Sequence, residues 1–196
     1  MVSDGRILES GTYESLKLIH DWLSSATEVA GFLKLVDSTI LTLKNSAKII
    51  FFGNGGSAAE ASHLAGEFIG KCESDVGPQP AISLTDSSPI LTAIANDWSF
   101  DDVFARQVRA LGNPGDLLIG LSTSGTSMNV HKGLIEGKNR GLRTSLWTSH
   151  RYKGKTQYID HLLIAPTDRT PRAQELHLIL GHIFCEYVEA AFKGNQ

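Results

Sequence analysis

A short apolar burst, Ile49-Ile50-Phe51-Phe52, stopped by Gly53-Asn54-Gly55-Gly56 and followed at once by a helix-forming stretch, narrows the fold more than any other feature. A strand that is apolar on both faces must be covered on both. Leu117-Leu118-Ile119-Gly120-Leu121 repeats the pattern and runs into Ser122-Thr123-Ser124-Gly125-Thr126-Ser127 before a helix predicted over Ser127 to Asn139. Ala81 to Leu84, Thr144 to Trp147 and Leu162 to Ala165 predict three further strands. Helices are expected from about Ser57 to Gly70, in stretches up to Leu111, and from about Thr170 to Phe192, with a turn at Asn113-Pro114-Gly115. Strands alternating with segments long enough to cross over predict an α/β chain, a three-layer α/β/α sandwich with a mainly parallel sheet.

Ahead of the first strand, Leu16, Ile19, Leu23, Phe32, Leu33, Val36, Ile40 and Leu43 recur at helical spacing with no intervening proline, which predicts two helices. The 196 residues read as one domain, with 1–46 a helical extension for oligomer packing and 47–196 the α/β core. Ligands in such sheets sit beyond the carboxyl ends of the strands, so chemistry is expected at the loops 53–57, 85–88, 122–127 and 148–150.

Composition removes several function classes. Hydrophobic residues at 41% and charged residues at 20% fit an ordinary globular chain. The formal net charge is −3 with no basic run, which argues against nucleic-acid and membrane-surface partners. No apolar run approaches the ~18 residues of a membrane span, and Asp4, Arg6 and Glu9 occupy the place of a signal-peptide core, so a cytoplasmic protein is expected. Cys72 and Cys185 form no metal-type spacing and read as reduced thiols. The last helix carries Leu176, Leu178, Ile179, Leu180, Ile183, Phe184, Tyr187, Val188 and Phe192, apolar nearly all round. That predicts burial on several sides and an oligomer; the alternative is a central helix within one chain.

Gly53-x-Gly55-x-x-Ala58 matches the dinucleotide fingerprint in form, but Asp86 is the only late candidate for its acidic partner. The serine-rich segment 122–127 opens a helix, where backbone N–H groups, hydroxyls and the helix dipole favour an anion. It lacks the Gly-Lys-Ser/Thr of an ATP-binding loop, so a phosphate held as a handle fits better than phosphoryl transfer, with a plain serine N-cap turn as the alternative. His63 and Glu67, four apart, share one helix face. On the last helix Gln174 and His182 are eight apart, about 80° around the axis, and periodicity does not choose between His177 and His182.

Residues 53–67, Leu91-Thr92-Ala93-Ile94-Ala95-Asn96-Asp97, Ser122-Thr123-Ser124-Gly125 and 173–182 together resemble the phosphoheptose (sedoheptulose-7-phosphate) isomerase family of the flavodoxin-like sugar-isomerase (SIS) fold. The resemblance runs in order from the N-terminal helices to residue 190, with departures at Thr126, Pro171 and 147–150. It implies a homotetramer with interface active sites, a zinc held by His63, Glu67, Gln174 and His182, and acid/base work by Glu67 and His182. Substrate contacts are implied for Asn54, Gly55, Gly56, Ser57, Glu67, Asn96, Asp97, Ser122, Thr123, Ser124, Ser127 and Gln174. Asp97 could instead cap the next helix. The implied reaction converts sedoheptulose 7-phosphate to the manno-heptose 7-phosphate through an enediol. The other readings are a partner-binding relative without catalysis and an isomerase for another sugar phosphate.

Overall fold

The computed structural model describes residues 5–193; the outermost parts of the predicted extension (1–4) and core (194–196) lie outside them. Five strands, β1 (Ile49–Gly53), β2 (Ala81–Ser83), β3 (Leu117–Leu121), β4 (Arg143–Ser149) and β5 (His161–Ala165), form one parallel sheet in the order β2-β1-β3-β4-β5. The expected α/β/α sandwich is present. Its helices are α1 (Arg6–Leu23), α2 (Ala26–Lys44), α3 (Gly56–Ile69), α4 (Ser88–Asp97), α5 (Val103–Leu111), α6 (Met128–Asn139) and α7 (Thr170–Phe192), with a 3-10 turn at Phe100–Asp102.

Side chains alternate along each strand, and this divides the core in two. Ile49 and Phe51 join Trp22, Phe32, Leu64, Trp147, Leu176 and Phe184 on the face covered by α1, α2, α3 and α7. Ile50 and Phe52 join Ile94, Phe104, Val130 and Leu134 on the face of α4, α5 and α6. β4 reaches β5 through a segment without a helix, 150–160, a stretch for which the sequence predicted none. Tyr152, Tyr158 and Ile159 pack that segment onto the second face, supplying the apolar cover a helix gives elsewhere.

Helix ends follow local chemistry. Ser25 caps α2 by accepting the Glu28 N–H, and Ser87 caps α4 in the same way. Pro171 sits in the first turn of α7, where no intrahelical partner exists for its missing N–H. Much of the apolar circumference of α7 is met inside the chain, with Leu176, Leu180, Phe184 and Val188 all buried. Among the described residues the four large apolar side chains left most open belong instead to α1: Ile7, Leu8, Tyr13 and Leu16, with Leu23 exposed as well.

Candidate active site

The turn after β1 needs a left-handed backbone at Gly55 (φ 57°), which costs glycine little, and α3 starts immediately after it. Along α3, positions separated by seven residues return to one face, so Gly56 and His63 both look towards α7. A Cβ on Gly56 would overlap the Gln174 amide, whereas one on Gly181 would lie 2.6 Å from Leu64. These two close approaches show that α3 and α7 run the same way and nearly touch.

This packing brings His182 to His63. Their Nε2 atoms are 2.7 Å apart with the rings perpendicular, and Glu67 Oε1 lies 3.4 Å from His63 Nε2. Among the described residues, one ligand atom from each of His63, Glu67 and His182 lies within 4.8 Å of the others. Two imidazole nitrogens aimed at each other share at most one proton, and a carboxylate beside them completes a nitrogen, nitrogen, oxygen set suited to a divalent metal such as zinc.

His177 takes a different role. It is fully buried, its Nε2–H donates to the Thr148 carbonyl at 2.9 Å, and its ring packs edge-on against Trp147. Burial pushes its pKa down to about 4. The choice that periodicity left open is therefore decided by packing, with His177 in the core and His182 in the site.

Gln174 does not join the trio within the chain. It precedes His182 by about 12 Å of helical rise and its amide lies over Gly56. There it lines an open recess of about 330 Å³ with Glu60, Pro171, Glu175 and Leu178. Glu60, which the sequence did not single out, is buried with neither carboxylate oxygen hydrogen-bonded, and burial pushes its carboxyl up to about 7.

The predicted loops meet at the sheet's carboxyl edge through a pair of amides. Asn54 and Asn129 each donate to the other at 2.8 Å, tying the glycine turn to the start of α6. Both ends of the Asn54 side chain are thereby engaged by Asn129, a residue no motif marked. In the serine loop Ser122 donates to Ser127 at 3.1 Å, and Ser124 Oγ accepts from the Thr126 N–H at 3.2 Å. Ser57, Ser122 and Thr123 are buried, while Ser124 and Ser127 are half-buried. The loop is braced from below by Thr148 and Ser149, whose hydroxyls donate to the carbonyls of Ser122 and Thr123 at 2.8 and 2.6 Å.

Asn96 and Asp97 are exposed at the end of α4 and bonded to each other at 2.9 Å. Asp97 does not cap the following turn. Ser99 does, accepting the Asp101 N–H at 3.1 Å, because Asp97 is still helical and only Ser99 has the extended backbone a cap requires.

The segment leaving α3 is anchored to the far end of α7. The buried Glu189 carboxylate accepts the N–H groups of Cys72 (2.7 Å), Glu73 (3.1 Å) and Ser74 (2.9 Å). Burial raises the pKa of Cys72 to about 11 and pushes that of Cys185 up as well, consistent with the two thiols staying protonated.

Residues 17–149 match the SIS domain family model. Phosphoheptose isomerase from Thermodesulfovibrio yellowstonii is 46% identical over 148 residues, 76% of this chain and 74% of the relative. The chain belongs to the phosphoheptose isomerase family of SIS-domain enzymes. A Burkholderia pseudomallei phosphoheptose isomerase is 41% identical over 183 residues, 93% of each chain. In structure, phosphoheptose isomerase from Neisseria gonorrhoeae superposes with a TM-score of 0.87 at 34% identity, covering 94% of this chain and 98% of that one. A phosphoheptose isomerase likeness over almost the whole chain thus includes α1, α2 and the α3–α7 pair that carries His63, Glu67 and His182.

Proposed function

We propose that the protein interconverts sedoheptulose 7-phosphate and D-glycero-D-manno-heptose 7-phosphate through an enediol, as the first step of heptose synthesis, in the cytoplasm. The observation that carries this reading is the convergence of His63, Glu67 and His182 where α3 and α7 meet, in a chain similar over its length to phosphoheptose isomerases. A ketose-to-aldose shift removes a proton from C1, returns one to C2 and moves a proton between O1 and O2. Glu67 and His182 supply the two acid/base groups, the carboxylate taking the carbon proton and the imidazole exchanging the oxygen proton. Ser122, Thr123, Ser124, Ser127 and Ser57 hold the phosphate, while Asn96, Asp97, Gly55, Gly56 and Asn54 face the sugar chain.

The donor set fits zinc, which His63, Glu67, His182 and Gln174 would hold. When bound, it would act as a Lewis acid towards the sugar oxygens. Gln174 stands over Gly56, away from the histidines of its own chain, which supports a site completed by a second copy. The exposed apolar residues of α1 support the same homotetramer with interface active sites.

Proton and phosphorus NMR of sedoheptulose 7-phosphate incubated with the enzyme in D2O, with and without a chelator, tests the reading. The expected result is an aldoheptose 7-phosphate deuterated at C2, lost on chelation. An inert substrate with metal supplied would transfer the activity to another sugar phosphate or the function to partner binding.

A further inference from the structure

His131, on the first turn of α6, belongs to no part of the site described so far. Its Nε2 lies 2.8 Å from the Gly125 carbonyl, which can only accept, so the ring proton sits on Nε2. Nδ1, 3.0 Å from the Tyr158 hydroxyl, is then free to accept from it. Tyr152 stacks on the other side of the ring at 5.9 Å, and its own hydroxyl donates to the Lys155 carbonyl at 2.6 Å. The helix-free segment between β4 and β5 therefore ends its path as a wall behind the serine loop. Gly125 lies against that wall in a left-handed conformation (φ 64°), and a Cβ there would come within 2.7 Å of Tyr152.

The consequence follows from the planar trans peptide. The Gly125 C=O and the Thr126 N–H belong to one unit and point in opposite directions. With the carbonyl held by His131, the N–H is turned to the other side of the loop, where it meets Ser124 Oγ at 3.2 Å. Without the histidine this peptide would lose that hold, and the ψ of Gly125, which has no Cβ, leaves it room to tilt away from Ser124.

We propose that His131 is a positioning residue for phosphate binding: held by Tyr158 and Tyr152, it fixes the Gly125–Thr126 peptide so that the Thr126 N–H donates to Ser124 Oγ and leaves the Ser124 O–H to donate to the substrate's phosphate. The proposal rests on the reading of segment 122–127 as the phosphate loop. A Ser124 hydroxyl without that support would offer the dianion a less fixed donor, so the brace governs affinity more than the proton transfers.

The test is phosphorus NMR titration of inorganic phosphate into the full-length protein, paired with steady-state kinetics on sedoheptulose 7-phosphate. His131→Leu is expected to weaken phosphate binding about ten-fold and raise KM by a similar factor, with kcat changed far less. His131→Gln, whose amide can both donate to Gly125 and accept from Tyr158, should recover most of the affinity, and Tyr158→Phe should lose about three-fold. Wild-type phosphate affinity in a folded His131→Leu protein would overturn the proposal, as would no recovery in His131→Gln. If His131→Leu does not fold, an unchanged Tyr158→Phe overturns it, as does a wild-type protein that binds no phosphate. Phosphate binding that depends on His131 in a protein inert towards the sugar would support the brace and remove the proposed reaction.

Discussion

His63 Nε2 and His182 Nε2 face each other across 2.7 Å from two helices that run side by side in the same direction. Neither helix carries a site alone, since α3 supplies a histidine and a carboxylate and α7 the second histidine. The first prediction concerns metal. Zinc is expected to bind at one ion per chain, and His63→Ala or His182→Ala should each weaken it by more than the roughly 10–100-fold that losing a supporting group costs. Competition with a chromophoric chelator measures this, and equal affinity in all three proteins would remove the metal assignment.

Glu67→Gln keeps the shape and hydrogen-bonding reach of the side chain while removing its basicity. Turnover of the sugar phosphate should fall by about 10²–10⁴, with circular dichroism and assembly size unchanged. A variant retaining full kcat would leave the carboxylate a ligand only.

Gly56→Ala separates position from stability. The new methyl overlaps the Gln174 amide, the movable end of a flexible side chain, so the unfolding free energy should change by no more than about 1 kcal/mol. Activity should drop much further, because Gln174 is displaced from the start of α3. If kcat and KM both stay at wild-type values, Gln174 has no part in the site.

His177 makes the fold sensitive to acid. Its pKa is about 4 in the folded chain against an ordinary 6.5, so below pH 6.5 the unfolded chain takes up a proton that the folded one refuses. The stability held by the neutral ring is complete above that pH and is lost as pH falls towards 4, a total of about 3 kcal/mol. Urea unfolding at pH 7 and pH 4.5 should show a steeper loss for wild type than for His177→Gln. Parallel losses would place the acid sensitivity in other groups.

How much of this was legible in the sequence depends on how local the signal was. Strands β1 and β3 announced themselves because a doubly buried strand is apolar without alternation and ends on glycine or serine, and α7, expected from about Thr170 to Phe192, announced itself by its long apolar run. The β4–β5 crossover was not legible, since two tyrosines and an isoleucine spread over 150–160 have no period. On α7 the apolar residues surround the axis, so periodicity has no phase and could not separate His177 from His182. Only the contact with α3 does that. Asn129 and His131 act through Asn54 and Tyr158, distant in sequence, and Glu60 stands out only by its burial; no local spacing marks either feature. The cap role left open for Asp97 falls to Ser99, two positions on, because that residue has the extended backbone a cap needs.

The Glu189 carboxylate, closed over the N–H groups of residues 72–74, turns the two donor helices into a splinted pair. Since the chain leaving α3 is fastened to the last turns of α7, neither helix can slide along the other without breaking several charge-assisted hydrogen bonds. The alignment of His63 with His182 is thus guarded from further along α7 by a residue that bonds to neither. Damage to the helix terminus would register as a loosened grip on metal before it registered as unfolding.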